Sequence, residues 1–173
     1  MDSQTDVVEA HVWSQRSETL YQVMVSYRYH RKRQRFYDLL DKFTKALTVI
    51  AGASLLAEPI KRNLPIAAAV ISSLGMLSLV FGFGDRKQLH KELAEAFAQL
   101  AAKIRGASVA ALSPLQAAAW EAEAAVLDVK EPPQLKALVN ICEREQSIAN
   151  GHPSHIPQIP FVKRALSDWI SFG

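Results

Sequence analysis

Hydrophobic positions along this chain fall into two registers. From Asp6 to Lys42 there is no Pro or Gly, and apolar residues recur at Trp13, Leu20, Met24 and Tyr27, then at Phe36, Leu40, Phe43 and Leu47. Spacings of three, four and seven residues predict one long amphipathic helix that runs on into the apolar segment after it. From Asn63 to Gly84 that period is lost, because 22 residues in a row carry no ionisable side chain. A helix that is apolar all round belongs in a large core or in a bilayer. Leu64 to Gly84 would rise about 31 Å as a helix, close to the roughly 30 Å hydrocarbon core. Asn63 stands as its cap and Pro65 falls in the first turn, where a missing N–H costs nothing.

The shorter apolar run, Ala46 to Ala57, is extended backward by Leu39, Leu40 and Phe43, and Lys45 can snorkel toward headgroups. Glu58 to Arg62, with Pro59, makes a tight break between the two apolar helices. The pattern predicts an all-α integral membrane protein. Its centre is a hairpin of two transmembrane helices with both termini cytoplasmic, flanked by long cytoplasmic helices. Seven basic residues lie between Arg28 and Lys45, two in the connection and five from Asp85 to Arg105. By the positive-inside rule, that asymmetry puts both ends in the cytoplasm of a cell whose inner membrane holds the hairpin. The start, MDSQTDVVEAHVW, lacks the basic and apolar regions of a signal peptide.

After the hairpin, Leu89, Leu93, Phe97, Leu100 and Ile104 form a helical stripe that Gly106 closes and that continues the second apolar helix. Ser113-Pro114-Leu115-Gln116 reads as a capping box opening a helix through about Asp128. Pro132 and Pro133 break it. Another helix follows, with Leu135, Leu138, Val139 and Cys142 on one side, ending at Asn150-Gly151. The tail HPSHIPQIP is extended, and Phe161 to Phe172 predicts a last short helix carrying Trp169. The chain thus divides into an N-terminal helix (1–42), the hairpin (43–84), cytoplasmic helices (85–151) and a Pro-rich tail with a short helix (152–173).

The mean hydropathy of +0.01 and net charge of +3 hide this segregation. The apolar content excludes a disordered chain, and the single cysteine excludes a disulfide framework. His152 and His155 sit in a Pro-rich stretch with no further ligand nearby, so no metal site is expected. Gly82-Phe83-Gly84 lacks the third glycine of a nucleotide loop. No nucleophile, cofactor motif or paired carboxylates mark an enzyme. Candidate chemistry is confined to two places. Arg28, Arg31 and Arg35 share a face of the first helix, beside Tyr27, Tyr29 and His30 as stacking surfaces. They fit either anionic headgroups or the phosphates of a soluble ligand. In the apolar helices, Thr48, Ser72, Ser73 and Ser78 form a weakly polar strip. It suits close helix packing or, in an assembly of several copies, a pore lining with Phe81 and Phe83 as an apolar gate.

The order of parts resembles the SLATT family of small bacterial two-helix membrane proteins over roughly Trp13 to Gly151. Trp13 lies on a leading helix and is followed by the basic RYHRKRQRFYDLLDKF, the apolar pair and DRKQLHKELAEAFAQLAAKI. A helix pair around Glu131-Pro132-Pro133 and Leu138 to Glu143 completes the pattern. Cys142-Glu143-Arg144-Glu145 departs from a Cys then Asn-Glu pattern of some relatives, and the tail lies outside the resemblance. The resemblance implies a pore-forming or ion-conducting effector of anti-phage defence, assembled as a homo-oligomer in the lipid bilayer, with a tetramer favoured. It also implies gating by a nucleotide or short oligonucleotide from a partner nucleotidyltransferase. Arg28, Arg31, Lys32, Arg35, Arg86 and Lys87 would be the ligand contacts. The alternatives are a non-conducting membrane adaptor that recruits a cytoplasmic partner, and a phage holin-like or exclusion protein.

Overall fold

A computed structural model describes residues 2–54, 64–108 and 112–152. Those residues form five α-helices and no strand: α1 (Asp2–Ser54), α2 (Leu64–Phe81), α3 (Phe83–Gly106), α4 (Pro114–Asp128) and α5 (Lys136–Ala149). They cluster into two compact units, one of Met1–Arg31 with Lys91–Gly173 and the other of Lys32–His90.

The first unit is built around the amphipathic half of α1. Leu20, Val23, Met24 and Tyr27 meet Phe97, Leu100, Ala101 and Ile104 of α3, with Trp120 of α4 closing the cluster. A second stripe one residue around, Tyr21, Val25 and Tyr29, packs on Leu138, Ile141 and Cys142 of α5. The same helix therefore serves two layers, because i, i+3, i+4, i+7 and i, i+4, i+8 rows lie side by side. Polar groups finish the helix ends. Ser113 Oγ accepts from Gln116 N–H at 3.2 Å at the start of α4, with Pro114 in the first turn. The Arg16 guanidinium donates twice to Ile104 O, at 3.0 and 3.2 Å, near the end of α3. α5 has no side-chain cap of its own. Instead the Leu135 N–H donates to Tyr29 Oη at 3.2 Å, a tertiary substitute for the missing cap. At its far end Gly151 takes φ +87, the left-handed conformation that suits glycine.

The second unit holds the apolar residues that the sequence set apart. The expected membrane hairpin is overturned here: among the described residues, no helix is long and apolar enough to cross a membrane. Gly82, at φ +53, ends α2 at Phe81. The described part of this helix has 18 residues and rises about 27 Å, short of the ~30 Å hydrocarbon core. The same glycine separates α2 from α3, which the sequence predicted as one continuous helix. The other apolar run is the end of α1, described only to Ser54. The Glu58–Arg62 connection, the His155 position and the tail helix with Trp169 lie outside the described residues.

The second unit is also inside-out. Among its described side chains the buried ones are polar or charged, Arg33, Asp41, Thr44 and His90, together with Tyr37. Many apolar ones are exposed, namely Leu39, Phe43, Val49 and Ile50 on α1 and Ile66, Val70, Met76, Val80 and Phe81 on α2, the extreme being Val80 at 80%, while Phe36, Leu40, Leu47, Ile71 and Phe83 are half-buried.

Candidate functional site

Two helix pairs at i, i+4 spacing build the polar centre of the second unit: Arg33 and Tyr37 on α1, Arg86 and His90 on α3. The Arg33 Nη2 donates to Tyr37 Oη at 2.5 Å, and Arg86 Nη1 donates to the same oxygen at 3.4 Å. The Arg33 guanidinium also lies 4.6 Å from the Tyr37 ring centroid and 5.3 Å from that of Phe36. The His90 imidazole stacks on Tyr37, centroids 5.6 Å apart and planes 14° from parallel. One phenol thus gathers two guanidiniums and an imidazole. Arg33, Tyr37 and His90 are all buried, while Arg86 is exposed.

Around this centre lysines and aspartates pair. Asp38 accepts from Lys42 at 2.7 Å and from Lys87 at 2.9 Å, and Asp41 accepts from Lys45 at 2.7 Å. The bonds from Lys42 and Lys87 hold the Asp38 carboxyl below its ordinary range. The bond to Asp38 in turn holds the Lys87 ammonium above its own. Both groups face water, so the pair orients α1 and α3 more than it stabilises them.

The predicted ligand contacts divide between the two units. Arg28 and Arg31 belong to the first unit, and Lys32, Arg35, Arg86 and Lys87 to the second. Arg28 Nε donates to the buried Gln146 Oε1 at 2.8 Å. Lys87 is engaged by Asp38 and Arg86 by Tyr37. Lys32 is half-buried, while Arg31 and Arg35 are exposed. Two expected stacking surfaces are withdrawn from any ligand: Tyr29 and His30 are 1% and 0% exposed, inside the first unit's core. His30 instead stacks on Phe97 at 5.7 Å and meets Glu131 Oε1 through Nε2 at 3.0 Å. Reading the basic run as one face missed Arg33, Tyr37 and His90. The two i, i+4 pairs were the signal available for them.

Two hydroxyls of the weakly polar strip bond back to their own helices. Thr48 Oγ1 donates to Thr44 O at 2.9 Å and Ser73 Oγ to Ala69 O at 2.7 Å, both four residues back. Ser72 is exposed, and the side chain of Ser78 lies outside the described residues. The two predicted gate residues do meet: Phe81 and Phe83 stack across Gly82 with centroids 5.7 Å apart and planes 5° from parallel.

A cavity of about 390 Å³ opens in the first unit beside Glu18, Tyr21, Ser147, Asn150 and His152, and none of the predicted contacts lines it. Cys142 is buried, as its apolar helix face predicts. Comparison with protein families, characterised proteins and solved structures finds no match to this chain.

Proposed function

We propose that this chain is an oligomeric effector that acts on lipid bilayers and dissipates ion gradients. The observation that carries the reading is the inside-out unit. Nine large apolar side chains of α1 and α2 face outward while Arg33, Asp41, Thr44 and His90 are buried. Exposed apolar side chains in this number mark contact with lipid or with further copies of the chain. The reading asks this exterior to lie against lipid and needs no crossing helix. The SLATT-like order of parts supports the same class. Control by an anionic signal, a nucleotide or short oligonucleotide from a partner nucleotidyltransferase, belongs to the proposal. It is supported by nine basic against four acidic residues in Lys32–His90, where the whole chain carries only +3.

Flotation with vesicles tests the lipid contact. The full chain is expected to rise with phosphatidylcholine vesicles. A Met76→Asp/Val80→Asp double variant is expected to stay at the bottom of the gradient, since a charge at each position opposes contact with lipid. Absence of the native chain from the lipid fraction would refute the reading in favour of a protein partner.

A further inference from the structure

We propose that the first unit binds a linear aliphatic polyamine in a groove along α1, between α4 and α5. Three observations carry this inference, and all lie in the first unit, so it stands apart from the bilayer reading.

The first is room. The cavity of about 390 Å³ beside Glu18, Tyr21 and Asn150 is joined by a second of about 210 Å³, lined by Tyr21, Val25 and Ser26 of α1, Ala124 and Asp128 of α4 and Glu143 of α5. Tyr21 walls both, and its hydroxyl donates to Glu143 O at 3.2 Å. The two therefore follow one another along α1 from Glu18 to Ser26, a rise of about 12 Å. Glu18, Asn150 and Asp128 are exposed, so each cavity is reached from water. The space suits an extended chain of methylenes that carries an amine at each end.

The second is charge. Glu18 borders one cavity and Asp128 and Glu143 the other, and among the described residues no Lys or Arg lines either. The ion pairs described in the first unit are His30–Glu131, Lys91–Glu95 and Lys103–Glu123, and none of the three groove carboxylates takes part in one. Nor are they gathered at one point: no group of three ligating side chains among the described residues could hold a metal ion. Carboxylates spread along a groove match cations spread along a chain.

The third is the effect of that charge on the groove's own groups. Burial, and then the charge of Glu143, holds the Tyr21 hydroxyl above its ordinary range. Burial, and then the charge of Glu131 against a smaller pull from His30, does the same to the Asp128 carboxyl. An ammonium in the groove relieves this excess of negative charge. It meets the carboxylates and the Tyr21 ring, while the methylenes between amines meet Val25 and Ala124.

Calorimetric titration of the full chain with spermidine, at neutral pH and low salt, tests the site. One-to-one binding is expected. Glu143→Gln and Asp128→Asn are each expected to weaken it about tenfold, the loss of one charge-assisted contact, and Glu18→Gln severalfold. Glu121→Gln removes the same charge from α4 at a position that lines neither cavity and is expected to change binding less than twofold. Magnesium at the same concentration is expected to displace little of the spermidine. In urea unfolding, spermidine is expected to raise the midpoint of the native chain more than that of Asp128→Asn, whereas ionic strength alone would move both alike. No binding of spermidine, equal losses in Glu121→Gln and Glu143→Gln, or full displacement by equimolar magnesium overturns the site.

Discussion

The contact between His30 and Glu131 ties the turn after α4 to α1, and its removal has a calculable cost. The two side chains are 0% and 4% exposed and 3.0 Å apart, so solvent screening leaves the interaction almost intact. Glu131 also accepts from Gln134, and Leu135 next to it donates to Tyr29. The whole turn is therefore fastened by neighbouring residues of one helix. His30→Ala empties a core position stacked on Phe97 and removes the contact to Glu131, a loss of about 2–4 kcal/mol. That is a large share of the roughly 5–15 kcal/mol by which domains are stable. Glu131→Gln keeps the shape and removes only the charge, and is expected to cost about 1–2 kcal/mol. His30→Leu/Glu131→Leu removes both polar groups and is expected to recover to within about 1 kcal/mol of the native chain. Urea unfolding followed by helical circular dichroism at neutral pH measures all three. Molar salt is expected to leave the differences standing. A coupling between the two positions below about 0.5 kcal/mol would refute the reasoning.

Three further outcomes follow from local geometry. Packing around the Asp128 carboxyl, together with the charge of Glu131, pushes that group above the ordinary carboxylate range while His30 pulls it down less. The folded chain then holds this proton more tightly than the unfolded one, so the term destabilises at neutral pH and fades on acidification. Asp128→Asn is expected to unfold at higher urea than the native chain near pH 7 and at equal urea once the pH drops below the usual carboxylate range. Ser113→Ala removes the acceptor for Gln116 N–H and is expected to cost about 1 kcal/mol in the same unfolding assay. Gly82→Ala places a side chain at φ +53 with Asp85 Oδ2 3.5 Å from the new Cβ. It is expected to cost about 1–2 kcal/mol by urea unfolding.

The helices of the first unit were legible because each carried its own local signal. Ser113, Pro114 and Gln116 announced α4, and the structure starts it at Pro114 and ends it at Asp128. Of the stripe predicted for α3, Leu93, Phe97, Leu100 and Ile104 are buried, while its first residue, Leu89, is exposed. Asn150-Gly151 ended α5 where expected. The second unit was misread for a physical reason. Hydropathy counts residues along the chain and does not record the backbone angle at Gly82, so one apolar run reads as a span and its continuation as the same helix. The basic run was misread for another. Charge density does not say which side chains turn inward, and Tyr29 and His30 sit among five basic residues yet lie in the first unit's core. The polar centre could be found only by pairing Arg33 with Tyr37 and Arg86 with His90, and nothing local joins residues 49 positions apart.

The claim on which this account rests is that the inside-out surface of Lys32–His90 acts on lipid. Potassium efflux from loaded phosphatidylcholine and phosphatidylglycerol vesicles measures it most directly. The native chain is expected to release potassium in a concentration-dependent way that rises more steeply than linearly, as an assembly requires, and Met76→Asp/Val80→Asp is expected to release none above background. Native protein that binds the vesicles yet leaves the potassium gradient intact would contradict it.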